Sequence, residues 1–154
     1  MEIRAPGSFF HLELLGYQYL DAEGEPYDAN WLQVRVDAVG PQGAWSVTDP
    51  CLLTSEAARL AEWLEAVGSG AAAAPAISFL EPGLLFRQVE REGGERFLRV
   101  HFGSLIHPGW ASAAPVPGAN PDLWLDFPLA EIDLRTAVRT LKEQLKKYPR
   151  RYER

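Results

Sequence analysis

One cysteine and three histidines are the residues from which nucleophilic chemistry could be built in this 154-residue chain. A Cys–His pair works by moving the thiol proton onto imidazole, and Cys51 with His101 or His107 would have to supply it. Cys51 lies between Pro50 and Leu52 in an apolar run, where it reads as a small buried hydrophobe. His101 stands among apolar neighbours of a strand, the setting of a hydrogen-bonded, semi-buried histidine, and His107 precedes Pro108 in a loop. No two His or Cys share the i, i+2 or i, i+4 spacing of a metal site. The carboxylate pairs Glu62 with Glu65 and Asp122 with Asp126 come without an apolar pocket to shift a pKa, so they read as solvated faces. Asp21-Ala22-Glu23-Gly24-Glu25-Pro26-Tyr27-Asp28 holds four carboxylates, yet the spacing fits no EF-hand loop and Pro26 interrupts it. Gly-rich phosphate-loop patterns are absent, and Gly93-Gly94 is accounted for by a hairpin. These residues predict no catalytic group, no cofactor and no metal.

What remains is recognition. The net charge of −6 is uneven: residues 135–154 hold eight Lys/Arg against Glu143 and Glu153, leaving seven basic against nineteen acidic residues elsewhere, net −12. An acidic body repels nucleic acid and steers cationic partners toward itself. Asp21, Glu23, Glu25 and Asp28 read either as a solvated turn or as an acidic rim facing such a partner. Trp110, in a loop, and Trp124, opposite in phase to the apolar residues of its strand, are either covered by the long loop or candidate aromatic anchors beside that charge. The basic tail 143–154, with Tyr148 and Tyr152 interleaved, is the one nucleic-acid-like feature; a frayed helix end or salt bridges to the acidic body account for it better. Neither a signal peptide nor an 18-residue apolar span occurs, and one cysteine suits a reducing compartment, so the expected location is cytoplasmic. The alternative is an enzyme or small-ligand binder with a pocket between sheet and helices, marked by His101, Arg87 or Cys51 meeting a carboxylate.

The elements that position these groups predict a single α+β domain, residues 1–154, with about six to seven mostly antiparallel strands and two helices. Over 8–20, Phe10, Leu12 and Leu14 alternate in one phase and Leu15, Tyr17 and Tyr19 in the other, the signature of a bulge. Leu32, Val34, Val36 and Ala38 share one face, and Gly40-Pro41-Gln42-Gly43 turns the chain so that Ala38 meets Trp45 and Val36 meets Val47. Asp49 before Pro50 is expected to end that strand, and Thr54 to cap a central helix over about 55–67. Ala57, Leu60, Ala61, Leu64 and Val67 form its buried stripe. Short strands follow at 77–81, 84–91 and 96–106, with Val89 opposite Leu98 and Leu85 opposite Phe102 across a two-residue Gly93-Gly94 loop. Residues 107–121 read as loop, 123–127 as a last strand and about 131–148 as a final helix.

Tyr27-Asp28-Ala29-Asn30-Trp31-Leu32, then Trp45 to Thr54, Leu60-Ala61-Glu62-Trp63-Leu64, Phe79-Leu80-Glu81-Pro82 and Leu125-Asp126-Phe127-Pro128-Leu129 follow one another in an order that resembles the WapI-type immunity proteins of bacteria. The likeness runs over roughly residues 9–148. Ala130 departs from the pattern, which has a Ser after the Leu. The resemblance implies a small cytoplasmic protein that neutralises a contact-delivered toxin, in the named case one that cleaves tRNA, by stoichiometric binding to a cationic toxin domain. Trp45, Asp49, Pro50 and Trp63 would be structural in that setting, building the strand-to-helix corner.

Overall fold

The computed structural model describes residues 1–22, 25–103, 105–108 and 123–152. Within them the chain forms two four-stranded antiparallel sheets and two α-helices, an α+β architecture with eight strands, slightly more than the sequence suggested. The first sheet is a meander of β1 (Glu2–Ala5), β2 (Ser8–Tyr17), β3 (Trp31–Gly40) and β4 (Gly43–Leu53). Helix α1 (Thr54–Ser69) leads to a second meander of β5 (Ala76–Ser78), β6 (Leu84–Glu90), β7 (Arg96–Phe102) and β8 (Leu123–Pro128), and α2 (Leu134–Leu145) follows.

The inner faces of the sheets meet through aromatic side chains. Phe10 of β2 contacts Phe86 edge-on at 5.7 Å between centroids and Phe102 at 6.0 Å, while Trp45 stands edge-on to Phe102 at 5.0 Å. Phe10, Phe86 and Phe127 are fully buried, each contributing about 2–3 kcal/mol by removal from water. The helices cross where α1 carries Gly68; a Cβ there would sit 3.2 Å from the Cβ of Leu134. Leu60, Leu64 and Val67 of α1, with Leu134, Val138 and Leu141 of α2, are buried in the same core.

The β3–β4 register is the expected one, Ala38 opposite Trp45 and Val36 opposite Val47. The bulge in β2 is also present, with pairing shifting between Leu14 and Gly16. Helix α2 satisfies the backbone groups that surround this irregularity. The Leu14 N–H donates to Gln144 Oε1 at 2.7 Å, Gln144 Nε2 donates to the Leu12 carbonyl at 3.3 Å, and the Tyr148 hydroxyl donates to the Leu15 carbonyl at 2.9 Å.

Four local expectations are corrected. Asp49-Pro50 does not end β4, which runs on to Leu53. The register shifts there instead, from Val34 opposite Asp49 to Leu32 opposite Leu52, so Pro50 and Cys51 together face Gln33. A bulge on an edge strand is where a proline lacking N–H is tolerated. Thr54 is the first helical residue of α1 and not its cap; its hydroxyl donates to the Asn30 carbonyl at 3.2 Å. Between β6 and β7 the true partners are Val89 with Phe97 and Leu85 with His101, one residue from the expected register. The connection is longer than two residues: Arg91 N–H bonds the Glu95 carbonyl, with Gly93 and Gly94 both at positive φ inside the loop. Finally, α2 begins at Leu134, where Asp133 Oδ1 accepts from the Thr136 N–H at 3.0 Å, so Ala130 is not at the cap. Most of the loop expected over 107–121 lies outside the described residues.

Candidate functional site

Cys51 is buried, and burial, then the Asp49 charge, push its thiol up to about 12. At pH 8 such a thiol is ionised about a thousandfold less than an ordinary one. Iodoacetamide should therefore label the native protein at least ~100-fold more slowly than the urea-unfolded chain; equal rates in the two states would show Cys51 to be accessible and reactive. His101 is half-buried, opposite Trp124 across the β7–β8 pair, with its ring 5.9 Å from the indole. No group of three His, Cys, Asp or Glu among the described residues is placed to hold a metal ion.

A His–Asp pair does occur, formed across two strands and marked by no motif. His11 and Asp37 stand directly across β2 and β3, with Nδ1 3.0 Å from Oδ2. Burial opposes ionisation of Asp37, but hydrogen bonds from Ser46, His11 and Arg35 outweigh it and hold the carboxyl below its ordinary value. Asp37 thus takes the Ser46 hydroxyl for itself. A hydrolytic triad needs the imidazole between hydroxyl and carboxylate; here the carboxylate is in the middle, which makes a cross-strand ion-pair cluster.

The acidic loop is better formed for contact. Asp21, Glu25 and Asp28 are exposed, the last at the start of a single 3-10 turn, Asp28–Asn30; Glu23 lies outside the described residues. Tyr19, Leu20 and Tyr27 on the same segment are exposed as well, Leu20 by 76% and Tyr27 by 66%. The segment after α2 folds back and fastens this loop. Asn30 exchanges hydrogen bonds with the Arg151 backbone, accepting from its N–H and donating to its carbonyl, both at 2.8 Å. The Arg151 guanidinium lies 3.4 Å over the Tyr17 ring and donates to the Tyr19 and Leu20 carbonyls. Lys142 of α2 pairs with Glu65, and Lys146 at the start of the basic tail pairs with Glu143, so part of this basic region answers acidic groups of the same chain.

Trp124 is 41% exposed on the outer face of the second sheet, on a different element from that loop. Arg99 lies 4.7 Å over its ring and bonds Asp126 through Nε at 2.7 Å and Nη2 at 2.8 Å; Arg91 adds a third bond at 2.6 Å. Burial works against the Asp126 charge, yet the two guanidinium groups hold the carboxyl below its ordinary value. Trp110 lies outside the described residues.

A family model for the WapI-like immunity proteins matches residues 2–149. The chain belongs to that family. Neither curated proteins nor solved structures give a match. In this WapI-like chain the tryptophans of the strand-to-helix region are buried or half-buried and hydrogen-bonded: Trp45 Nε1 donates to the Ile106 carbonyl at 3.2 Å and Trp63 Nε1 to the Ala74 carbonyl at 2.9 Å. The corner itself is held by an acidic residue in the first turn of α1. Glu56, 5% exposed, accepts from the Leu53 N–H at 3.0 Å and from the Leu80 N–H at 2.7 Å, tying the start of α1 to the turn before β6. In the closing stretch of the WapI-like pattern, Leu125 and Phe127 fill the core while Asp126 holds the arginines outside. No helix among the described residues is long and apolar enough to cross a membrane.

Proposed function

We propose that this protein protects its producer by binding a contact-delivered toxin domain one-to-one in the cytoplasm and blocking it without chemistry. The observation that carries this is the fastened acidic loop: Asp21, Glu25 and Asp28 beside exposed Tyr19, Leu20 and Tyr27, in a chain of an immunity family. Exposed aromatics supply contact area at low entropic cost, and the carboxylates speed encounter with a cationic surface. Holding the loop through Arg151 before the partner arrives lowers the ordering cost of association. A nuclease, which must itself attract phosphate, presents the basic surface that such a loop complements.

The test is to express the C-terminal domain of a large secreted protein encoded beside this gene, alone and together with this chain. Growth rescue and a 1:1 complex are expected, with a Kd of roughly 10 nM or tighter. Reversing Asp21, Glu25 and Asp28 to Lys should slow association about tenfold at low salt. Absence of both complex and rescue would overturn the proposal.

A further inference from the structure

Strand β4 carries a carboxylate in a phase that its neighbours reserve for the core. Trp45, Val47 and Asp49 stand opposite Ala38, Val36 and Val34, and those three partners are buried. Asp49 is half-buried beside Glu81, and among the described residues neither side chain has a hydrogen-bonding or cationic partner. Burial and then the Glu81 charge push the Asp49 carboxyl above its ordinary value. A half-buried carboxylate beside a second negative charge opposes folding, and breaks of local consistency of this kind are expected where a surface serves a function.

The pair lies in a recess. Asp49 and Glu81, with Gln18, Tyr19, Trp31 and Leu105, line a cavity of about 330 Å³, at the small end of the range for ligand pockets. Its surroundings are apolar and open: Tyr19, Leu20, Leu80 and Leu105 are among the exposed large hydrophobic side chains. Asp21 of the acidic loop follows Tyr19 by two residues, so the recess adjoins the surface already described.

We propose that this recess receives one arginine side chain of the protein partner, its guanidinium held by Asp49 and Glu81 and flanked by Tyr19 and Trp31. This deepens the toxin-binding reading and rests on it. Arginine fits this lining because its planar group takes carboxylates in a fork and packs on aromatic faces, which an ammonium does less well. A divalent metal is a poor occupant, since calcium needs six to eight oxygens and the lining carries two carboxylates. Docking a cation also relieves the repulsion between Asp49 and Glu81, so binding recovers stability that the free protein lacks.

Two measurements test this. The first titrates the full chain with N-acetyl-arginine methylamide and its neutral isostere N-acetyl-citrulline methylamide, following the Trp31 indole N–H by NMR. A saturable shift with the arginine probe at roughly millimolar concentration is expected, with none from citrulline and at least a tenfold weaker response in Asp49→Asn/Glu81→Gln. That variant removes the crowded charges and should fold. Equal responses to the two probes, an undiminished response in the variant, or shifts evoked by calcium chloride and not by arginine would overturn the proposal. The second compares binding of the neighbouring toxin domain to wild type and to the same variant. A loss of about 100-fold is expected. Equal binding would overturn the arginine recess and leave the immunity reading standing. If no domain binds wild type, the immunity reading falls, and the probe titration alone decides whether the recess takes arginine.

Discussion

Replacing Glu56 with Ala is expected to cost about 3–5 kcal/mol of stability, because two backbone N–H groups lose a charged acceptor at once. Leu53 N–H and Leu80 N–H both point at this carboxylate, and with the residue 5% exposed, water cannot replace it without opening the corner. For a chain of this size the midpoint of thermal unfolding should fall by roughly 6–20 °C. Glu56→Gln should fall between wild type and Ala, since an amide offers one acceptor oxygen where the carboxylate offers two. Hydrogen exchange adds a local readout: the Leu53 and Leu80 amides should lose protection in Glu56→Ala before the rest of β4 and the neighbouring strand β6 do. An Ala variant within about 1 kcal/mol of wild type would show that the two bonds do not form in solution. Leu53, the residue before α1, has no side-chain oxygen, so Glu56 is what closes the helix start.

Gly103→Ala is expected to be similarly severe for a different reason. A Cβ at Gly103 would lie 1.7 Å from the Pro82 carbonyl oxygen and 2.9 Å from its carbon. Those are backbone atoms, and the Gly103 N–H is bonded to the Gly83 carbonyl at 2.8 Å, so the strand end and the Pro82-Gly83 turn have to separate. Overpacking that backbone must absorb costs about 3 kcal/mol or more. Gly94→Ala is the control: its φ is +81° but the nearest atom is 3.9 Å away, so it should cost only about 1–2 kcal/mol of conformational strain. Urea unfolding of both variants gives the ranking, and Gly94→Ala proving the more damaging would contradict the close approach at Gly103.

Much of the first sheet was legible because its signals are local and agree. Gly40-Pro41-Gln42-Gly43 set the turn, the alternation of Val34, Val36 and Ala38 set the face, and the phase flip at Leu15 marked the bulge. The second sheet was misread by one residue, and a slip of one turns every side chain to the other face. The correct register was implicit in the requirement that Leu84 and Phe86 share a buried face with Phe102 and Val100, which pairs them directly. The Gly-Gly dipeptide is the weaker signal, because Gly93 and Gly94 lie inside a longer loop. At Asp49-Pro50 the local preference against continuing the strand was real, but a bulge at the sheet edge absorbed it. The recess could not be read at all. Asp49 and Glu81 come from different sheets' worth of sequence, and what brings them together is the corner fastened by Glu56. The acidic loop is legible from charge alone, whereas its clasp by Arg151 depends on a residue 121 positions from Asn30.

The contacts of Gln144 and Tyr148 with β2 have a bearing on how the molecule is made. The N–H of Leu14 and the carbonyls of Leu12 and Leu15 are completed by side chains more than 125 residues later. While the chain is still emerging from the ribosome, the second strand to be synthesised stays unfinished, and its apolar side chains Phe10, Leu12 and Leu14 lack their final cover. Closure over so long a span is slow relative to local pairing. Completion of β2 therefore waits for Gln144 and Tyr148 to be synthesised, which couples the finishing of the first sheet to the docking of the last helix.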